Sequence, residues 1–274
     1  MEKEFYVVLP SNTRSEAFPD NKISNFSVGL PSSLELGNYK WEVSLVSISY
    51  PHTWYNVEVS DAFIDIYMSN GHKSRRRFAP GYYNDGKEII KKLNVILGEH
   101  ELVTRFNYDI QSNAVSIDMY NGEHIKLSRG LAAMLGFHNR DLDYEDLGVS
   151  AVTVSNPENP YANPDDAPPI VARYRSADSI VDLSLRTHNL FIYTNIVKET
   201  LVGNTYMPLL RTVPTLDKNR GTYVSKNYTD PHYLPLSSNY IKHITIDIRD
   251  DQGQNIKFQS GKITVKLHFR MKGT

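Results

Sequence analysis

The sequence predicts a mainly β protein, an antiparallel sandwich into which a smaller α+β module is inserted. Three observations lead to this prediction. Apolar and polar residues alternate near both ends of the chain, as is typical of half-buried strands. Between these ends, residues 61–177 combine hairpin signals with two helix signals. A proline-rich segment closes this middle region, so we expect the two ends of the chain to share one domain.

Two alternating runs occupy the carboxyl end of the chain. Their apolar positions are Ile244, Ile246 and Ile248 in the first run, and Ile263, Val265, Leu267 and Phe269 in the second. Turn-forming residues fill positions 250–253 between them. The pattern predicts an antiparallel pair of strands whose apolar side chains face one core.

Strand signals near the amino end begin with residues 23–30, which Pro31 separates from a longer run over 39–50. The alternation of the longer run shifts phase at Leu45 and Val46, which predicts a β-bulge. We assign residues 1–19 to an N-terminal arm. The apolar stretch of that arm is five residues long, too short for a signal peptide or a membrane span, so we expect synthesis in the cytosol or nucleus without secretion.

Two helices are predicted in the middle region. The first begins after Asp85, a suitable N-cap with Glu88 three residues later, and ends at Gly98. The second begins after Ser128 and ends at Gly136. Asn-Gly pairs at 70–71 and 121–122 predict tight hairpins. The segment 156–169 holds five of the fourteen prolines and is predicted to form neither helix nor strand.

Strand-like runs then resume at 180–185, 190–197, 206–213 and 222–228. With two strands before the middle region and two at the end of the chain, the count is eight. Eight antiparallel strands in two packed sheets form a jelly roll. We therefore predict a jelly-roll domain made of residues 20–60 and 178–274, interrupted by an α+β module over residues 61–177.

Composition excludes several function classes. Thirty basic and thirty-one acidic residues give a formal charge of -1, so the chain lacks the positive field with which a protein binds nucleic acid as its main partner. The absence of cysteine excludes disulfides, thiolate zinc sites and thiol nucleophiles. Eighteen tyrosines against two tryptophans favour interfaces, where a ring with a wet hydroxyl is common.

Candidate chemistry is sparse. The nine histidines form no metal or triad motif. The acidic stretch 141–146 has the composition of a calcium loop, but Asp146 stands where an EF-hand has its turning glycine, so a solvated loop is favoured. One basic cluster, Arg75, Arg76 and Arg77, is a candidate contact for nucleic acid or an acidic partner, and otherwise an exposed hairpin arm. We predict no catalytic residue, cofactor or metal.

An ordered set of short motifs resembles one family. The motifs are Phe5-Tyr-Val-Val-Leu-Pro-Ser-Asn12, Phe18-Pro-Asp-Asn21, Asn25-Phe26, Trp41-Glu-Val43, Tyr50-Pro-His-Thr-Trp-Tyr-Asn56, Pro80-Gly-Tyr-Tyr83, Leu131-Ala-Ala-Met-Leu-Gly-Phe137, Pro208-Leu-Leu-Arg211, Pro231-His-Tyr-Leu-Pro-Leu236, Asp247-Ile-Arg-Asp-Asp251 and Leu267-His-Phe-Arg270. Each motif is weak alone, but the ordered set is specific and covers nearly the whole chain. It is similar to that of penton-type minor capsid proteins of Maverick/Polinton elements and adintoviruses.

The resemblance implies a single jelly roll that forms homopentamers at the fivefold vertices of an icosahedral virion, with the major capsid protein as its partner. Three alternatives stay open: another virion component, such as a major capsid or attachment protein; a glycan-acting enzyme, which would need two converging carboxylates; and a cellular β-sandwich binding protein. The major capsid protein is implied to be a double jelly roll, for which this chain is too short.

Overall fold

The computed structural model describes residues 3–13, 16–67, 72–100, 102–120, 123–144, 152–154, 170–184, 187–215 and 221–272. The chain packs as two compact units. Unit 1 comprises Met1–Trp54 and Arg186–Thr274, and unit 2 comprises Tyr55–Leu185.

Strands dominate the secondary structure. In chain order the elements are β1 (Glu4–Pro10), β2 (Asn25–Glu35), β3 (Trp41–Pro51), β4 (Phe63–Tyr67), β5 (Lys73–Arg77), α1 (Gly86–Glu99), β6 (Arg105–Asp109), β7 (Ala114–Tyr120), β8 (His124–Leu127), α2 (Arg129–Met134), β9 (Asp141–Asp143), β10 (Val152–Val154), β11 (Ile170–Ser176), β12 (Asn189–Thr194), β13 (Thr200–Val202), β14 (Thr205–Met207), β15 (Leu209–Pro214), β16 (Tyr223–Asn227), β17 (Leu234–Pro235), β18 (Tyr240–Arg249) and β19 (Thr264–Met271).

Unit 1 has the strand order of a jelly roll. Its first sheet, sheet A, has the order β1-β19-β3-β16, and the short β17 also pairs with β3. Its second sheet, sheet B, has the order β15-β12-β18-β2, and every pairing in both sheets is antiparallel. Numbered along the chain, these eight strands lie in the orders 1-8-3-6 and 5-4-7-2, which is the double Greek key of a jelly roll. The predicted fold class is confirmed, and unit 2 is inserted between the third and fourth strands.

The membership of the eight strands differs from the prediction at two places. Residues 1–19 were expected to form an arm, but β1 pairs with β19 over its whole length and is an edge strand of sheet A. The predicted strand at 180–185 is absent from the described residues 180–184, which form no strand. The first strand escaped detection because Tyr6 and Val8 are apolar on the exposed face, so the sequence shows a continuous apolar stretch instead of an alternation.

The two carboxyl-terminal strands do not pair with each other, which corrects the predicted antiparallel pair. β18 lies in sheet B and β19 in sheet A, and the chain between them crosses from one sheet to the other. The predicted shared core is nevertheless confirmed. All seven apolar residues of the two runs are fully buried in one cluster between the sheets, because both strands direct their apolar faces inward.

Local irregularities in unit 1 follow the sequence signals. The predicted bulge occurs in β3, where Lys266 pairs with Ser47 and the next residue, Leu267, pairs with Leu45. Pro31 does not end its strand as expected. It lies inside β2, where the register with β18 shifts, and the proline is tolerated there because β2 is an edge strand and the shift leaves its position unpaired.

Unit 2 has two four-stranded sheets, with the orders β5-β4-β8-β9 and β10-β11-β7-β6, and its own apolar core. Both predicted helices are present. Asp85 caps α1 by accepting a hydrogen bond from the backbone N–H of Glu88, and Ser128 caps α2 in the same way through Leu131. The apolar stripe of α1, which includes Ile89, Leu93 and Leu97, is buried in the unit 2 core.

The two Asn-Gly turns and the proline-rich segment lie outside the described residues. The strands around them show a difference from the prediction. β4 and β5 form the expected hairpin around 70–71. β7 and β8, on either side of 121–122, belong to different sheets, so no hairpin forms there. Among the described helices, none has the length and apolar composition needed to cross a membrane.

Candidate assembly surfaces

The predicted basic cluster lies on β5, an edge strand of unit 2. Arg75 stands opposite Asp65 of β4 and binds it with two hydrogen bonds, Nε to Oδ1 at 2.6 Å and Nη2 to Oδ2 at 2.9 Å. The ammonium nitrogen of Lys73 lies 2.9 Å from the same carboxylate, whose side chain is only 3% exposed. Arg75 therefore neutralises a buried charge, a structural role that differs from the predicted partner contact.

Its two neighbours make weaker local contacts. Arg76 points to the other face of the strand and donates a hydrogen bond from Nε to Nε2 of His100. Arg77 donates from Nη1 to the carbonyl oxygen of Val59 at 3.1 Å. Both side chains are exposed. The predicted contact between the three arginines and a partner stays a prediction. Arg76 and Arg77 are better placed for it than Arg75, because neither binds a buried carboxylate.

The ion pairs at Asp65 predict a pH-dependent stability. The hydrogen bond from Arg75, together with Lys73, lowers the pKa of Asp65 from 3.8 to about 2. A depressed pKa stabilises the folded state above the unfolded pKa, and that contribution is lost as the pH falls from about 4 through about 2.

We expect Asp65→Asn to lower the free energy of unfolding by about 2 kcal/mol at neutral pH, because it removes the charge that the two cations bind. Urea denaturation at pH 7, 5 and 3 measures this, and the gap between wild type and variant should narrow toward pH 2. Arg76→Ala is the matched control from the same strand, and we expect it to change the free energy of unfolding by less than about 0.5 kcal/mol. A gap that stays constant with pH contradicts the ion-pair explanation.

The acidic stretch 141–146 begins on β9, beside Lys126 and His124 of β8. Lys126 stands opposite Asp141 in the register, with 2.6 Å between its ammonium nitrogen and Oδ2. His124 stands opposite Asp143, and its Nε2 lies 3.4 Å from Oδ1 of Asp141. Glu145 and Asp146 lie outside the described residues. In the described part of the chain, no group of three or more histidine or carboxylate side chains could hold a metal ion.

The outer face of sheet A carries an aromatic depression of about 370 Å³. His268 of β19 forms one wall. Its ring stacks on Tyr6 at 4.4 Å, and its Nδ1 lies 2.7 Å from the hydroxyl of Tyr233. Lys266 lies over the Tyr6 ring, and the guanidinium of Arg270 lies 3.4 Å from the centre of the Tyr233 ring. The depression therefore combines aromatic rings with the ammonium group of Lys266, on a sheet face that the core does not use.

Tyrosines divide between the surface and the core. Among the tyrosines that the structure describes, six have more than 40% of their surface exposed: Tyr6, Tyr39, Tyr174, Tyr206, Tyr223 and Tyr240. Tyr50 is in the opposite situation, because burial, aided by the nearby Tyr228, raises its pKa to about 12. The interface interpretation of the tyrosine content therefore applies to the exposed tyrosines, five of which belong to unit 1.

Several motifs of the resemblance meet in sheet A. The ring of Phe5 in β1 stacks on Phe269 of β19 at 4.9 Å and contacts Trp41 of β3 at 5.6 Å. Trp54 is buried and contacts Tyr50 and His52. Residues from the first, middle and last motifs of unit 1 thus build one side of the same core, although more than 200 positions separate Phe5 from Phe269.

Comparisons with known proteins give structural neighbours only. No family model matches the chain, and no curated protein matches its sequence. Two solved structures align over 99% of the chain, each with a TM-score of 0.49. One is the mavirus penton protein, with 13% identity and 100% of its own chain covered. The other is a chain of the Sputnik virophage, with 15% identity and 99% of its own chain covered.

Proposed function

We propose that this chain is a structural virion protein, a penton-type minor capsid protein that forms homopentamers at icosahedral fivefold vertices. Its partners are further copies of itself and the major capsid protein, and its place is the virion capsid. The resemblance to Maverick/Polinton elements and adintoviruses indicates the viral lineage. In this proposal unit 2 is a module that decorates or caps the capsomer, and no residue is catalytic.

The jelly-roll strand order of unit 1 is the observation that carries the proposal. Jelly rolls serve as viral capsid domains, lectins and cupins. The ordered motifs of the sequence resemble those of penton-type capsid proteins, and this resemblance favours the capsid role over the lectin role.

Two surface depressions bear on the enzyme alternative. A glycan hydrolase needs two carboxylates about 5 to 10 Å apart in one cleft. The aromatic depression on sheet A is lined by no carboxylate. A second depression, in unit 2, is lined by Arg129, His138, Arg140 and a single carboxylate, Asp141, which Lys126 already binds. Neither depression has the pair of acids that the reaction requires.

Solution mass tests the proposal. Mass photometry of the purified chain, alone and mixed with the major capsid protein, should give a particle of five subunits. A stable trimer would assign the chain to a different capsomer, and a monomer under both conditions would favour the cellular binding protein. Either result contradicts the penton assignment without affecting the fold.

A further inference from the structure

Edge strand β1 has main-chain groups available for another strand. Lys3 O accepts from Met271 N and Ser11 N donates to Ile263 O, each at 2.8 Å. Because hydrogen-bonded positions alternate along an antiparallel pair, odd-numbered residues of β1 face β19, and the main-chain groups of Glu4, Tyr6 and Val8 point away from the sheet. Within the described ranges β1 pairs with no second strand.

The same positions expose apolar side chains. Tyr6 is 57% exposed and Val8 is 55% exposed, on the solvent face of sheet A. Exposed edges with apolar side chains promote pairing with another chain, and monomeric proteins usually protect them. Pro10, which has no N–H, ends the available edge. We name Tyr6, Val8 and the outward main-chain groups of β1 the edge patch.

A hairpin of unit 1 also exposes apolar side chains that a partner surface could bury. β13 and β14 pair with each other and, in the described part of the chain, with no other strand. Leu201 and Tyr206 stand opposite each other in this hairpin and are 64% and 68% exposed. A two-stranded hairpin is marginally stable in water by itself. Contact with a partner surface would bury both side chains and stabilise the hairpin.

The edge patch and the base of the hairpin lie at opposite edges of sheet A. The base of the hairpin is held by a bridge between Val197 and Leu236 and by the hydrogen bond from Lys198 N to Pro235 O. Pro235 belongs to β17, which pairs with the edge of β3 that β19 leaves open. The sheet order therefore places β1 at one edge and the hairpin base beyond the other.

We propose that the β13–β14 hairpin of one copy packs against the edge patch of the next copy. This inference rests on the proposed function and identifies the contact through which the ring closes. A head-to-tail contact uses two different surfaces of each subunit and can close a ring. A second copy is the occupant that satisfies both surfaces at once. Glu4 and Lys266 flank the edge patch, while Lys198 and Glu199 precede the hairpin, so each surface offers charges of both signs.

Single charges should break the contact from either side. Val8→Asp alters the edge patch and Leu201→Asp alters the hairpin, and each should leave a folded chain whose pentamer dissociation constant rises about tenfold or more. Thr205→Asp is the matched control, because it places the same charge on the opposite face of the same hairpin. Mass photometry over a dilution series, with circular dichroism to verify folding, measures the effect.

A mixture of the two variants gives a sharper test. Each variant keeps one intact surface, so an equimolar mixture should form one-to-one dimers and no rings. The double variant Val8→Lys with Leu201→Asp should regain pentamers, which a misfolded chain would not do. The proposed contact is contradicted if each single variant still forms pentamers, or if the mixture forms no dimers. Either result leaves the proposed function standing. A wild-type chain without pentamers, alone and with the major capsid protein, contradicts both.

Discussion

Replacing Phe269 by Ala is expected to lower the free energy of unfolding of unit 1 by about 3–5 kcal/mol. Phe269 is fully buried, stacks on Phe5 and stands opposite Val43 in the register of sheet A. Truncation removes apolar area from the core and leaves a cavity that the two surrounding strands cannot fill, because their backbones are fixed by pairing.

Urea denaturation of wild type and Phe269→Ala measures this difference. Tyr39→Ala is the control, since it removes an aromatic ring of similar size that is 53% exposed. The control should change stability by less than about 1 kcal/mol. Equal effects of the two substitutions would contradict the assignment of Phe269 to the core between the sheets.

Gly136→Ala is expected to destabilise unit 2 by about 3 kcal/mol or more. Gly136 follows α2 with a φ of +86°, and a Cβ at this position would lie 2.0 Å from the carbonyl oxygen of Ser179. Its own carbonyl oxygen accepts hydrogen bonds from Asp178 N and Ser179 N. The side chain would therefore force apart two backbone segments in a conformation that L-residues rarely adopt.

A second glycine provides the control. Gly98 lies near the end of α1, and a Cβ there meets no atom within 4 Å. Gly98→Ala should be neutral or slightly stabilising, by up to about 1 kcal/mol, because alanine favours the helix. Thermal unfolding with hydrogen exchange at α2 separates the two variants. A Gly136→Ala protein as stable as Gly98→Ala would contradict the close approach of 136 and 179.

Periodicity identified faces of strands better than it identified their partners. The isoleucines of β18 and the apolar residues of β19 were assigned correctly to one core, yet the two strands lie in opposite sheets. Alternation in a sequence reports which side of a strand is buried, and both sheets of a sandwich bury their inner sides. The choice of partner depends on chain crossings, which a turn signal at 250–253 does not reveal.

The edge patch shows why one strand was missed. An ordinary edge strand alternates polar and apolar residues, whereas Tyr6 and Val8 are apolar on the exposed side of β1. Residues 206–213 were predicted to form one strand, but Pro208 separates two strands there, β14 and β15. Both misreadings fall in the elements that we propose to meet between subunits, where the rules for an isolated domain do not apply.

The basic cluster shows a limit of motif reading. Arg75 was grouped with its neighbours by sequence, but its partner is Asp65, a charged residue between two isoleucines of β4. An aspartate inside an apolar strand was the signal that could have found this pair. The register of the β4–β5 hairpin decides which arginine meets it, and in that register Arg75 stands opposite Asp65.

Electron microscopy of capsids assembled from this chain and the major capsid protein would show whether the chain occupies the fivefold vertices. We expect density for a ring of five jelly rolls at every fivefold vertex, and we expect this density to be absent from capsids made without this chain. Density for this chain at threefold or other positions, or capsids with complete vertices in its absence, would contradict the penton assignment.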